Sequence, residues 1–317
     1  GPRMYITGPY INGDAYGYMT EIDGTDDARR VVRYWAEEGV DWMKAYTTIG
    51  HDELAAAIDE AHRQGIRMTG HLCSVSFREA VALGIDNLEH GLFTNSDYVE
   101  GKERGVCPDG VDESILALDM NSAEVQRTFR DMVEGDVPMT STLAIYELYV
   151  PGRPDPIDPR TLEAMSDEAR TEYLRTRQQI ADNAENNRFA DVFRQAQAFE
   201  LAFARAGGLL GAGVDPTGYG GALPGFGDQR NYELLIEAGF SPVEAIEIMT
   251  LNGAKILGQE SEFGSIEAGK AADLVVIDGD PIARPAEIRN VVTVFRAGVG
   301  YDPDALIASV RGAVGLR

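Results

Sequence analysis

Residues 39–91 read GVDWMKAYTTIGHDELAAAIDEAHRQGIRMTGHLCSVSFREAVALGIDNLEHG, and three times in this stretch a short apolar run gives way to a residue able to bind a cation. The runs end at Lys44, His71 and His90. Between them, residues 52–64 and 76–83 carry apolar side chains at helical spacing and stop at Gly65 and Gly84, so each reads as a helix. Strands alternating with helices imply parallel crossovers and an α/β architecture. A fourth run, LLGAGVDP at 209–216, ends in Asp215. Folds of this kind place their chemistry at the C-terminal ends of parallel strands, which predicts Lys44, His71, His90 and Asp215 at one mouth.

Working outward, residues 25–38 form an amphipathic helix, with Val31, Val32 and Trp35 on one face. Residues 3–7 read as an extended strand, followed by a loop rich in Gly and Tyr through Tyr18. The stretch 94–136 is acidic and reads as loop, and 139–143 reads as another strand. A polar, mostly helical excursion from about 149 to 199 opens on PGRPDPIDP and reads as an elaborated loop. Helices are expected around 231–238 and 241–250. Ser241, Pro242 and Glu244 give the second a cap, a first-turn proline and a capping box. Beyond Gly258 the texture changes. GSIEAGKAADLVVIDGDP at 264–281 reads as a pair of short β segments, 291–295 as a further strand and 304–310 as a terminal helix. The expected division is 1–258 for the α/β part and 259–317 for a small β part.

Composition sets limits on function. The chain has 317 residues, 44% of them hydrophobic, enough for a substantial core. Its 28 Lys and Arg against 52 Asp and Glu leave a formal charge of −24, which repels nucleic acid and anionic lipid. Two cysteines, Cys73 and Cys107, are too few for a disulfide framework, and Cys73 reads as a small buried apolar residue. No run approaches the ~18 apolar residues of a membrane span, and residues 1–30 carry no targeting pattern, so a cytoplasmic location is expected.

The four strand-end residues define a chemistry. Imidazole nitrogen and carboxylate oxygen suit zinc and similar divalent cations, which generate a hydroxide-like nucleophile and polarise a carbonyl oxygen. A metal-assisted hydrolase is the leading expectation. Lys44, pointing into the mouth, would be a nucleophile if neutral, or a bridging ligand once carbon dioxide converts it to a carbamate. His51 and His62 lie at the ends of one helix and read as structural. Tyr46, Thr142, Tyr146, Tyr219 and Arg230 are candidate substrate contacts; the tyrosines and Arg230 suit a carboxylate.

Taken together, GVDWMKAY, DEAHRQGIRMTGH, GIDNLEHG, GAGVDP, SPVEAIEIMTLNGAKILG and GSIEAGKAADLVVIDGDP make the chain resemble the amidohydrolase superfamily, in particular its imidazolonepropionase-like and prolidase-type members. The resemblance implies a TIM-type (β/α)8 barrel with part of a small composite β-sandwich. It implies hydrolysis of C–N bonds in amides, cyclic amides or dipeptides. Lys44 resembles the carboxylated lysine that bridges two metals, His71 and His90 the ligands of the second metal, and Asp215 the aspartate that binds the first and shuttles the proton. The family's His-x-His pair has no counterpart here, and only six strand-like runs are found where a closed barrel needs eight. The first strands are therefore expected to lie outside this chain, supplied by the same polypeptide or another, with one or two divalent ions, zinc foremost, and homo-oligomerisation as a further expectation. Two other readings stay open: a non-catalytic fragment or partner subunit of a split amidohydrolase, and a Schiff-base lyase acting through Lys44.

Overall fold

The computed structural model describes residues 3–315. They fall into two compact units, one built from the chain up to Ser141 together with Ala198–Leu210, the other from Thr142–Gln197 and the chain from Gly211 onward.

The first unit is a parallel sheet with helices between its strands. Its elements are β1 (Ile11–Asn12), β2 (Thr20–Glu21), α1 (Thr25–Glu37), β3 (Trp42–Ala45), α2 (His51–Gln64), β4 (Arg67–Gly70), α3 (Phe77–Ala82), β5 (Asn87–Glu89), α4 (Val111–Leu116), α5 (Ala123–Glu134) and β6 (Met139–Ser141). The strand order is β2-β1-β3-β4-β5-β6, and Met139 N–H donates to Leu209 O, where the chain enters a seventh strand. Every resolved pairing among β1 to β6 is parallel. The registers Met43↔Met68 and Leu88↔Met139 put four fully buried apolar side chains on one face. The other face carries Lys44, Thr69, Asn87, Glu89 and Thr140, because Lys44 pairs with Thr69, Thr69 with Asn87 and Glu89 with Thr140. Alternation along short buried strands thus separates a greasy layer from a polar one.

Local signals explain the element ends. Gly65 terminates α2 at φ 74°, a left-handed conformation that costs glycine little. Ser76 and Glu79 form a reciprocal capping box at the start of α3. Under the sheet, Phe129 packs its ring 4.8 Å from Phe199 and 5.8 Å from Phe203.

Several expectations are corrected. The strand expected at residues 3–7 is reduced to one bridge, Thr7 to Trp42, and the first strand pair is Ile11–Asn12, inside the segment read as loop, with Thr20–Glu21 just beyond it. Gly and Tyr hid it, since two-residue strands leave no periodicity to detect. The acidic 94–136 region contains the twelve-residue helix α5, capped by Ser122 and burying Val125, Phe129 and Met132. Cys73 is not a free apolar residue: it is disulfide-bonded to Cys107, with Cα atoms 4.9 Å apart. Fold-imposed proximity, invisible in a separation of 34 residues, brings the two together. Closing a loop of that length stabilises by about 3–4 kcal/mol in the chain-entropy description. It ties the turn after His71 to the 101–110 loop, where Lys102 Nζ also donates to Ser74 O at 2.8 Å and Glu79 Oε2 at 3.0 Å.

The second unit begins with α6 (Leu143–Glu147), α7 (Pro159–Ala164), α8 (Asp167–Asp182) and the first part of α9 (Phe189–Arg205). It continues with most of β7 (Leu210–Ala212), then α10 (Phe226–Ala238), α11 (Pro242–Glu247) with a π-helical turn at Ile248–Asn252, and α12 (Gly253–Ile256). The expected Ser241 and Glu244 box is present. Ile145, Leu148, Met165, Tyr173 and Leu223 form a buried cluster. Three antiparallel strands, β8 (Leu274–Ile277), β9 (Val291–Arg296) and β10 (Val299–Tyr301), and α13 (Pro303–Ser309) complete it. Residues 264–281 supply one strand of this sheet, not the expected pair. Among the described residues no helix is long and apolar enough to cross a membrane.

Candidate functional site

The polar face of the first unit's sheet converges on Glu89. Its Oε1 accepts from Thr69 Oγ1 at 2.8 Å, Thr69 Oγ1 accepts from Asn87 Nδ2 at 2.9 Å, and Asn87 Oδ1 accepts from Thr140 Oγ1 at 3.2 Å. Its Oε2 takes the Lys44 ammonium as an ion-pair partner and lies 3.3 Å from His90 Nε2. Lys44, 6% exposed, also sits 4.7 Å above the Tyr10 ring, and Tyr10 stacks on Tyr46 at 5.7 Å. The Tyr46 and His71 rings are 4.5 Å apart, as are those of His71 and His90. Lys44 and Tyr46, His71 and His90, from three separate strand ends, are brought into one cluster.

Backbone geometry places the two histidines. His71 follows the last residue of β4, its N–H bonded to Ala45 O at 3.0 Å. His90 follows β5, its N–H bonded to Thr140 O at 2.9 Å, and then turns into the left-handed region at φ 68°. That conformation is uncommon outside glycine and marks a position held by its surroundings. Burial holds the His71 imidazole well below its ordinary range, with His90 and the Lys44 charge adding to the effect and Glu89 opposing it. Burial and then Lys44 do the same for His90. Both rings are neutral at neutral pH, the form that ligates metals.

His62 and His51 lie elsewhere, as expected of structural residues. His62 Nε2 is 2.9 Å from Asp86 Oδ2, and His51 Nδ1 is 2.7 Å from an Arg104 nitrogen.

In the second unit, Asp215 lies just beyond β7 with φ 45°, its carbonyl accepting from Thr217 N–H at 2.7 Å. The Tyr149 phenol is raised by burial and by the Asp215 charge. Tyr149 meets Tyr219 edge-on at 5.7 Å and Phe189 at 5.7 Å, while Tyr146 stacks on Phe189 at 6.3 Å. Tyr219 stacks on Tyr173 and donates its hydroxyl hydrogen to Leu148 O. Thr142 is buried at the start of α6. Arg230 reaches both oxygens of the buried Glu147 at 2.8 and 2.6 Å and Glu233 at 2.6 Å. It belongs to an ion-pair network rather than presenting open donors to a ligand.

Glu89, Thr69, Asn87 and Tyr10 were not singled out from the sequence. The available signal was the alternate placing of Asn87 and Glu89 in a strand whose other face is apolar. Glu200 on α9 is a further surprise. Fully buried beside Gly91, its carboxyl is pushed up to about 8 by burial, which the Ser141 hydroxyl only partly offsets. A carboxyl raised from 4.5 in the unfolded chain has the folded state binding more protons between those values, so stability falls as pH rises through that window. At pH 7 the cost is about 3 kcal/mol. Glu200→Gln, neutral at every pH, is therefore expected to raise the Tm at pH 7–8 and leave it unchanged near pH 4, measured by calorimetry.

The Amidohydrolase family pattern matches residues 1–299, and the chain belongs to that family. In sequence, a 5-methylthioadenosine/S-adenosylhomocysteine deaminase of Moorella thermoacetica is 54% identical over 67 residues, which is 21% of this chain and 15% of that protein. The chain thus matches only a small part of the length of such relatives. In structure, bottromycin amidohydrolase superposes with a TM-score of 0.67 at 19% identity, over 98% of this chain and 71% of its own. A putative prolidase from Bifidobacterium longum gives 0.62 at 23% identity, over 98% and 70%. At such identities the likeness establishes the fold, the parallel α/β architecture of amidohydrolase barrels, with a small antiparallel sheet.

The residues of the cluster suit a cation by their chemistry: Glu89 pairs with the Lys44 ammonium and lies 3.3 Å from His90, whose ring packs on His71. Among the described residues no three His, Cys, Asp or Glu side chains are already gathered as a ligand cage.

Proposed function

We propose that this chain carries the working part of a metal-dependent amidohydrolase that cleaves a C–N bond in a small amide, cyclic amide or dipeptide. The carrying observation is the cluster in which Lys44 pairs with Glu89, Glu89 lies beside His90, and the His90 and His71 rings pack together. His71 and His90 would hold a divalent cation, zinc foremost, through their unprotonated ring nitrogens, and Lys44 would join as its carbamate. The metal supplies a water of lowered pKa and a Lewis acid for the scissile carbonyl. Asp215, in the role the family resemblance implies for it, would take a proton from the attacking water and return it to the leaving nitrogen, so that an amide and water would become a carboxylate and an ammonium ion. The family match and the prolidase-like fold support this reading. The Cys73–Cys107 bond favours an oxidising compartment over the cytoplasm.

The reading is tested with chelator-treated protein, assayed on dipeptides and N-acyl amino acids. Turnover is expected to disappear on chelation and return with Zn²⁺. Turnover that survives chelation and is instead trapped by borohydride on Lys44 would establish the Schiff-base alternative.

A further inference from the structure

We propose that the connection between β1 and β2 is a specificity ledge, on which Tyr18 and Tyr10 receive a flat aromatic side chain of the substrate. The substrate class this names, amides of amino acids that carry an aromatic ring, rests on the hydrolytic reading above. All the residues involved belong to the first unit.

The rings form an unbroken row. Tyr18, Tyr10, Tyr46 and His71 follow one another with centroids 6.3, 5.7 and 4.5 Å apart. Tyr10 lies nearly parallel to Tyr46, at 17°, and Tyr18 meets Tyr10 at 63°, so the two make a corner. Stacked and edge-on contacts are the arrangements aromatic rings favour, and a ring set into that corner makes one of each. Tyr10 is only two ring contacts from His71, a distance that a single aromatic amino-acid residue bridges. Exposure is graded along the row: His71, Tyr46 and Tyr10 are partly buried, whereas Tyr18 is 74% exposed. The row therefore opens to solvent at Tyr18 and ends in the histidine cluster.

The ledge is also anchored at its base. Asn12 Oδ1 accepts from both the N–H and the hydroxyl of Thr48 at 2.9 Å. Gly13 passes so close to the same turn that a Cβ on it would fall 2.2 Å from Thr48 O. Met19 N–H donates to Tyr16 O at 2.9 Å and Thr20 N–H to Tyr10 O at 2.8 Å, which brings Tyr18 back beside Tyr10. A fixed backbone beneath an exposed ring is a platform ordered before the ligand arrives, so little ordering cost falls on binding.

The test compares N-acetyl-phenylalanine, N-acetyl-leucine and N-acetyl-lysine as substrates of the whole chain and of the variants Y18A, Y18F and Y34A. Calorimetric titration of the chelator-treated proteins with the same compounds gives a readout that needs no turnover. The unaltered chain is expected to favour the phenylalanine compound in kcat/KM and in affinity. Tyr18→Ala should cut that preference over leucine about two- to tenfold, the range a lost aromatic contact gives, while Tyr18→Phe keeps it. Tyr34→Ala, which removes an exposed tyrosine of α1 that meets Trp35, should leave it unchanged. A preference unaltered in Tyr18→Ala, or one for the lysine compound, overturns the ledge while the hydrolytic reading stands. If no amide is turned over, that reading fails by itself and calorimetry decides the ledge: ring binding weakened in Tyr18→Ala upholds it, and binding that is absent or indifferent to the substitution overturns it.

Discussion

Asp215→Asn is expected to lower kcat at least about a thousandfold while Co²⁺ uptake by the same preparation is largely kept. General acid–base groups contribute about 10²–10⁴ to rate, and an aspartate serving both half-reactions belongs at the upper end. Asparagine matches the shape of aspartate but cannot take a proton from water. The choice of variant follows from the backbone. Asp215 has φ 45°, a left-handed conformation that Asn tolerates and alanine does not. An alanine variant would mix strain with lost chemistry; asparagine isolates the chemistry. Steady-state kinetics on the best dipeptide substrate, with metal content measured alongside, decides it. Undiminished turnover would remove Asp215 from proton transfer and leave it a structural residue of the loop after β7.

Lys44, His71 and His90 were legible because each ends a short apolar run, and a strand end is a position the sequence declares. The helices α1 and α2 were legible for the same kind of reason, having an apolar face and a glycine stop. Glu89 was hidden by its neighbour. In NLEHG the histidine draws the reading, and only the register Glu89↔Thr140 reveals that the glutamate, two positions after Asn87, faces the polar layer. Glu200 was hidden more deeply, since nothing in an amphipathic helix distinguishes a carboxyl turned inward from one turned to water. The Cys73–Cys107 bond and the two-residue strands β1 and β2 depend on tertiary proximity alone, which periodicity does not encode. Local rules found the positions; the pairing of distant strands assigned their partners.

The largest effect after Asp215 is expected at His90. His90→Asn should cost at least about a hundredfold in Co²⁺ affinity and reduce turnover below detection, because a ligand is lost and not merely a supporting hydrogen bond. Asparagine is again the informative replacement: His90 stands at φ 68°, and Asn enters that region more readily than most residues. His62→Asn is the matched control, since it removes an imidazole whose partner is Asp86, outside the cluster. The control is expected to keep metal and turnover. Retention of both by His90→Asn, with circular dichroism unchanged, would contradict a metal role for the cluster. The fully buried, neutral imidazole beside Glu89 would then be a packing residue, and a hydrolytic site would have to be sought without it.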